Sequence, residues 1–163
     1  MKFPSAHPAV IGSVTTRAGL RLLPHAEAID LELATAVAMR PVLEAAKAAG
    51  KTIILSAHAL NKSAAPAQFS RWLKQHEGDA PTILKIAGHI ASWRDLQRLA
   101  ALLVNYPERK IAVMGLGPHA AQSRAVLAAL GSRLVYGWLD KAAAPGQPSA
   151  AEVKMMVEAL PGR

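Results

Sequence analysis

The sequence contains no cysteine. Neither disulfides nor thiolate metal sites can hold the fold, and the redox compartment stays open. Aromatic residues make up 4% of the chain, which is poor material for the stacking platforms used on single-stranded nucleic acid. No apolar run reaches the roughly 18 residues of a transmembrane helix. The opening MKFPSAHPAV has no apolar stretch before its prolines that would make a signal peptide. The expectation is a chain that neither crosses a membrane nor carries a leader, with the cytoplasm as its default location. Acid is scarce as well: 11 Asp and Glu stand against 19 Lys and Arg, a formal net charge of +8. The basic residues are scattered with no block of five. They read as solvated charge, and no nucleic-acid partner is expected.

What is present is an apolar, alanine-rich chain: 52% hydrophobic, with 34 alanines among 163 residues. Alanine loses no side-chain entropy in a helix, so helices are favoured. Short β-branched runs alternate with these helical stretches. Strands are expected at 8–15, 28–34, 52–57, 82–88, 110–115 and 133–139, and helices near 36–49, 66–77, 92–105, 119–131 and 149–160. Strands apolar on both faces, separated by helices, predict an α/β protein with a parallel sheet. Ser149 followed by Glu152 predicts a capping box at the start of the last helix. No internal repeat or linker divides the chain, so residues 1–163 are read as one domain, with AAAPGQPS (142–149) as a loop. A complete (β/α)8 barrel usually takes about 250 residues, and this length falls short of it.

In parallel α/β sheets ligands bind at the carboxyl ends of the strands. The polar residues expected there are Arg17, Glu32, His58 and Lys85, then Met114 with Gly115, and the APGQ loop. Lys85 is flanked by apolar residues in TILKIAG. Such a lysine either snorkels to solvent or is a desolvated amine whose lone pair can attack a carbonyl. His58 follows TIILSA directly; it is either an exposed histidine or a base suited to neutral pH. Ending consecutive strands, the two would suit proton abstraction beside a carbonyl. Glu32 either orients His58 or is a helix-start carboxylate. Arg124 can hold a carboxylate through two parallel hydrogen bonds, though most helix-surface arginines do not. The other five histidines show no metal-ligand spacing. Gly115–Ala120 fits the GxGxxA of a dinucleotide-binding turn, with Asp140 about twenty residues on. It leaves the rival reading of a nucleotide-binding protein open.

Taken together, the motifs resemble those of type I 3-dehydroquinate dehydratases, from about residue 8 to 160. LSAH (55–58) and KIA (85–87) match the histidine and Lys-Ile-Ala that end consecutive strands in that family, with a matching 27-residue spacing from His58 to Lys85. MGLGPHAAQSR (114–124), GS (131–132) and APGQ (144–147) follow in order, and the 23 residues from Arg124 to Gln147 also match. Upstream, IDLEL (29–33) and SVTTR (13–17) resemble the family's Asp-x-Glu and Thr-x-Arg strands.

The resemblance implies an incomplete TIM-type (β/α) barrel of about six parallel strands and an imine mechanism. Lys85 would condense with the ketone of 3-dehydroquinate, or of a related small anionic β-hydroxy keto acid. His58 would remove the adjacent proton and then protonate the departing hydroxyl, with no metal or diffusible cofactor. Arg124 and Gln147 would hold the substrate carboxylate, Arg17 would reach its hydroxyls, and Met114 would line the site. Three departures stand out. The family's Glu-x-Arg-x-Asp strand has no counterpart in residues 1–16, Arg21 stands where a glutamate is usual, and Ala143 replaces a Ser or Thr. A catalytically impaired or non-catalytic relative is therefore the alternative. Six strands would also leave two sheet edges open, which predicts a homodimer that covers them.

Overall fold

The computed structural model describes residues 10–11, 16–59, 69, 71–72, 74, 82–142 and 146–160. Five strands form one sheet in sequence order: β1 (Val10–Ile11), β2 (Ala28–Glu32), β3 (Thr52–Ala59), β4 (Thr82–His89) and β5 (Ile111–Leu116). β1 pairs with β2, and β2 with β3, in parallel; Asp30 lies opposite Ile54 and Glu32 opposite Ser56. The helices are α1 (Thr16–Leu22), α2 (Arg40–Ala48), α3 (Trp93–Asn105), α4 (Ala120–Ala129) and α5 (Ala150–Glu158). Most of the expected strand 8–15 and of the expected helix 66–77 lies outside the described residues. Within the latter, residues 69, 71, 72 and 74 are helical.

By contact density the chain divides into two compact units, Met1–Ala57 with Gly78–Lys85 and His58–Glu77 with Ile86–Arg163. In the first, Ile29, Leu31, Ile53, Ile54 and Leu55 are buried on both faces of their strands. That two-sided burial is why these runs are continuously apolar rather than alternating. Val42 and Ala46, one turn apart, are the buried stripe of α2. In the second unit, α3 buries Leu96, Leu99, Leu102 and Leu103 at helical spacing. The second unit also holds Ile86, Ile111, Val113 and Leu127, all buried. A smaller cluster, Ala128 with Val153 and Val157, packs α4 and α5 together under Val135 and Leu160.

Two helix starts are built by reciprocal caps. Ser92 accepts from the Asp95 amide while the Asp95 carboxylate accepts from the Ser92 amide. Ser149 and Glu152 repeat the arrangement at α5, as their spacing predicts. The bonds from Ser149 hold the Glu152 carboxyl below its ordinary pKa of 4.5. A lowered folded-state pKa stabilises above the unfolded value and fades as pH falls through the folded one. Ser149→Ala should therefore lower the melting temperature by a few degrees at pH 7, and by less at pH 3. Thermal melts at the two pH values check this; an equal drop at both would contradict it.

Two expectations need correction. The stretch 133–139 is not a strand: it makes one isolated parallel bridge, Trp138 to Ser149. The reason is competition for its backbone. The Leu134 carbonyl accepts from the Ser132 hydroxyl and the Tyr136 carbonyl from Arg124, so side chains take bonds that a ladder would use. Residue 17 does not end a strand either, since Arg17 lies exposed in the first turn of α1. Gly19 is the buried residue of that helix, while Leu20 and Leu22 are 41% and 45% exposed.

Candidate functional site

In the first unit the site is a chain of three side chains on neighbouring strands. Lys85 sits mid-β4 and is 8% exposed. Its ammonium pairs with Oδ2 of Asp30 on β2. The other oxygen, Oδ1, accepts from the hydroxyl of Ser56 on β3, which is 1% exposed. The strands dictate this meeting. Side chains alternate faces along a strand and share a face across a parallel pair. Asp30 and Ser56 therefore point the same way, and Lys85 reaches them. Burial of a charged pair is tolerable only when it is matched and hydrogen-bonded, and both conditions hold here. Lys85 is thus not a snorkelling surface lysine.

Asp30 and Ser56 are the residues that sequence reasoning passed over. Glu32, two residues beyond Asp30, drew attention because it ends the strand. A signal was available: Asp30 lies in an apolar strand, and a buried carboxylate there needs a cation. Glu32 is half-buried at the end of β2, and its carbonyl accepts from the Thr35 hydroxyl. His58, two residues past Ser56 on β3, is exposed.

In the second unit Met114 is buried in β5 and Arg124 is buried on α4, 3% exposed. The guanidinium is tied to main chain: Nε donates to Tyr136 O at 2.8 Å, and Nη1 to Ala120 O at 2.8 Å and Gly115 O at 3.3 Å. Nη2 has no hydrogen-bond partner among the described residues, and no buried polar side-chain atom is left orphaned. Desolvation holds the Arg124 pKa below its ordinary value. An anion at Nη2 would offset that desolvation. Gln147 is half-buried, and its carbonyl accepts from the Trp138 indole. Gly146, just before it, packs on the turn after β5, where an added Cβ would lie 3.1 Å from Gly117 O. Residues 143–145, which include the first half of the APGQ match, lie outside the described residues.

The glycines of Gly115–Ala120 have packing reasons of their own. A Cβ on Gly115 would fall 2.2 Å from Ile90 Cδ1 and 2.5 Å from Ser123 Oγ. Gly117 takes φ +94° beside His89. Gly115→Ala should cost about 1–3 kcal/mol through overpacking, read from urea denaturation. A midpoint equal to the parent's would show that α4 has room to move. Among the described residues, no three His, Asp or Glu side chains gather where they could hold a metal ion.

Strands in sequence order, joined where described by helices, define an α/β protein with a parallel sheet, and a buried lysine paired with a carboxylate lies among them. The model of the type I 3-dehydroquinase family matches residues 13–162, and the chain belongs to that family. It is 31% identical to the 3-dehydroquinate dehydratase of Methanosarcina acetivorans over 139 residues, covering 82% of this chain and 57% of that protein. With the Klebsiella pneumoniae enzyme it shares 30%, covering 82% and 55%. The chain thus spans little more than half the length of these curated relatives. Among solved structures, a type I 3-dehydroquinate dehydratase from Clostridium difficile superimposes with a TM-score of 0.77 at 20% identity, over 93% of this chain and 68% of that one. The Aquifex aeolicus enzyme gives 0.73 at 27% identity, over 90% and 65%. These neighbours are TIM-type barrels, and the likeness carries the α/β fold with its parallel sheet.

Proposed function

We propose that this chain is a Schiff-base-forming hydro-lyase that converts 3-dehydroquinate, or a related β-hydroxy keto acid, into the corresponding enone. The observation that carries this reading is Lys85: an amine buried mid-strand and paired with Asp30, in a KIA run that resembles the family's lysine motif. In the proposed sequence Lys85 Nζ forms a C–N bond to the ketone carbon, and the ketone oxygen leaves as water. The iminium withdraws electrons and acidifies the neighbouring C–H. His58 takes that proton, then returns it to the β-hydroxyl as the C–O bond breaks and a second water departs. Hydrolysis of the imine consumes one water and frees the amine. Glu32 orients His58 in this reading. Arg124 and Gln147 hold the carboxylate, Met114 lines the site, and Arg17 reaches the substrate hydroxyls from the exposed turn of α1. The reaction requires no metal or diffusible cofactor.

The same reading takes residues 1–163 as one barrel-type domain working in the cytoplasm as a homodimer. Among the described residues no helix is long and apolar enough to cross a membrane. A second reading, an impaired relative, is favoured by a specific observation. Arg21 stands where the family pattern has a glutamate, and Ala143 where it has a Ser or Thr. Losing polar contacts to a substrate hydroxyl can cost several powers of ten.

Borohydride trapping decides between the two. Incubation with 3-dehydroquinate and borohydride should leave a covalent adduct on the peptide containing Lys85, and 3-dehydroshikimate absorbance should rise. No adduct and no absorbance would leave only the non-catalytic reading.

A further inference from the structure

Lys85 has an aligned counter-ion, and that counter-ion has an anchor of its own. Asp30 is held at both oxygens, by Lys85 at Oδ2 and by Ser56 at Oδ1. A carboxylate on a short side chain can rotate about its last torsion, which is broad and roughly two-fold. With one oxygen fixed by a hydroxyl from the next strand, the other can point only one way. Ser56 is almost wholly buried. Its hydroxyl has no solvent to turn to, and Asp30 is the acceptor it meets.

We propose that Ser56 is a positioning residue, whose hydroxyl fixes the Asp30 carboxylate so that Oδ2 stays aligned on the Lys85 amine. The inference rests on the imine reading of Lys85 for its purpose. In that setting the aligned carboxylate has two proton tasks. The Lys85 ammonium gives a proton to Oδ2, leaving a neutral amine to form the C–N bond. The resulting Asp30 acid returns the proton to the oxygen that leaves as water. Atoms and charge balance: ammonium plus ketone become iminium plus water, and Asp30 ends as it began. Ser56 touches neither the amine nor the ketone, so it acts only through Asp30. Glu32 shares the Asp30 face of β2 two residues on, and His58 shares the Ser56 face of β3. Both are left unaltered in the test.

The test needs no substrate, so it stands apart from the trapping experiment. The rate of Lys85 acetylation by acetic anhydride is followed from pH 6 to 11 by peptide mass spectrometry. Lys154, whose side chain is 74% exposed, is the internal standard. In Ser56→Ala the ammonium loses its aligned partner, and the midpoint of Lys85 labelling should fall by about half a pH unit or more. Ser56→Cys, which keeps the volume with a weaker donor, should move it in the same direction; Ser56→Thr, which keeps the hydroxyl, should leave it near the parent's. Asp30→Asn should lower the midpoint by about one unit or more. In that background Ser56→Ala should add nothing, because Ser56 acts through the carboxylate. A parent-like midpoint in both Ser56→Ala and Ser56→Cys would overturn the proposal, and so would an undiminished Ser56→Ala shift in the Asp30→Asn background. Failure of borohydride trapping with these midpoints intact would instead remove the lyase reading and leave the positioning role standing.

Discussion

Lys85→Ala should yield no borohydride adduct, and turnover of 3-dehydroquinate should fall by roughly 10^4-fold or more, as when a covalent group is deleted. The same change should destabilise the protein. Asp30, whose side chain is 13% exposed, would keep its bond from Ser56 but lose its ion partner, and an uncompensated charge costs up to about 3–5 kcal/mol when fully buried and less here. Loss of activity and loss of fold must therefore be separated. Lys85→Met with Asp30→Asn removes both charges at similar volume, so most of the stability should return while the adduct stays absent. Denaturant midpoints and intact-mass spectra on the three proteins read this out. An adduct that persists in Lys85→Ala would move the chemistry to another amine. A double variant as unstable as Lys85→Ala would mean that packing, not charge, governs the site.

Arg124→Met should cost the second unit both stability and affinity for an anionic ligand. The carbonyls it serves are not equally dependent on it. Ala120 O keeps the Ser123 hydroxyl at 2.7 Å, and the bond to Gly115 O is long at 3.3 Å. The loss therefore centres on Tyr136 O, and an orphaned buried acceptor costs about 1–3 kcal/mol. Methionine keeps most of the apolar stem, so lost packing adds little. Arg124→Lys should not rescue, because a single ammonium cannot serve Tyr136 O, Ala120 O and a ligand together. With both variants still folded, KM for 3-dehydroquinate should rise at least tenfold if Arg124 holds the carboxylate as proposed, since bonds to charged groups contribute about 1.5–3 kcal/mol. An unchanged KM would make Arg124 a purely structural residue that clamps 136 against α4.

These two residues also show what the sequence could and could not disclose. Lys85 was legible because an apolar strand interrupted by one lysine poses a burial problem that local pattern alone reveals. The capping boxes at Ser92 and Ser149 involve residues three apart, so local chemistry determines them. Arg124 was half legible: its match to the family pointed to a carboxylate, but its bonds to Tyr136 and Gly115 depend on where distant backbone runs. The partners of Asp30 were hidden for the same reason, since they lie 26 and 55 residues away. Helix α1 escaped because its leucines face outward and leave no apolar stripe. The run 133–139 has strand composition, yet Ser132 and Arg124 occupy its carbonyls, and composition cannot show who reaches a backbone group first.

Ser132 has one more effect. Its hydroxyl accepts from the Val113 amide and lies within hydrogen-bond distance of the Val113 carbonyl, and the Arg133 amide donates to Ile111 O. The flank of β5 beyond β4 is thus closed at Ile111 and Val113 by a turn and a side chain. An open flank is an invitation to any passing extended chain. Here a serine withdraws that invitation at the middle of the strand. A homodimer of this protein cannot be a continuous sheet zipped through β5 at Val113. Ser132→Ala or Ser132→Val would leave the buried Val113 amide without that acceptor, at a cost of about 1–3 kcal/mol to the fold.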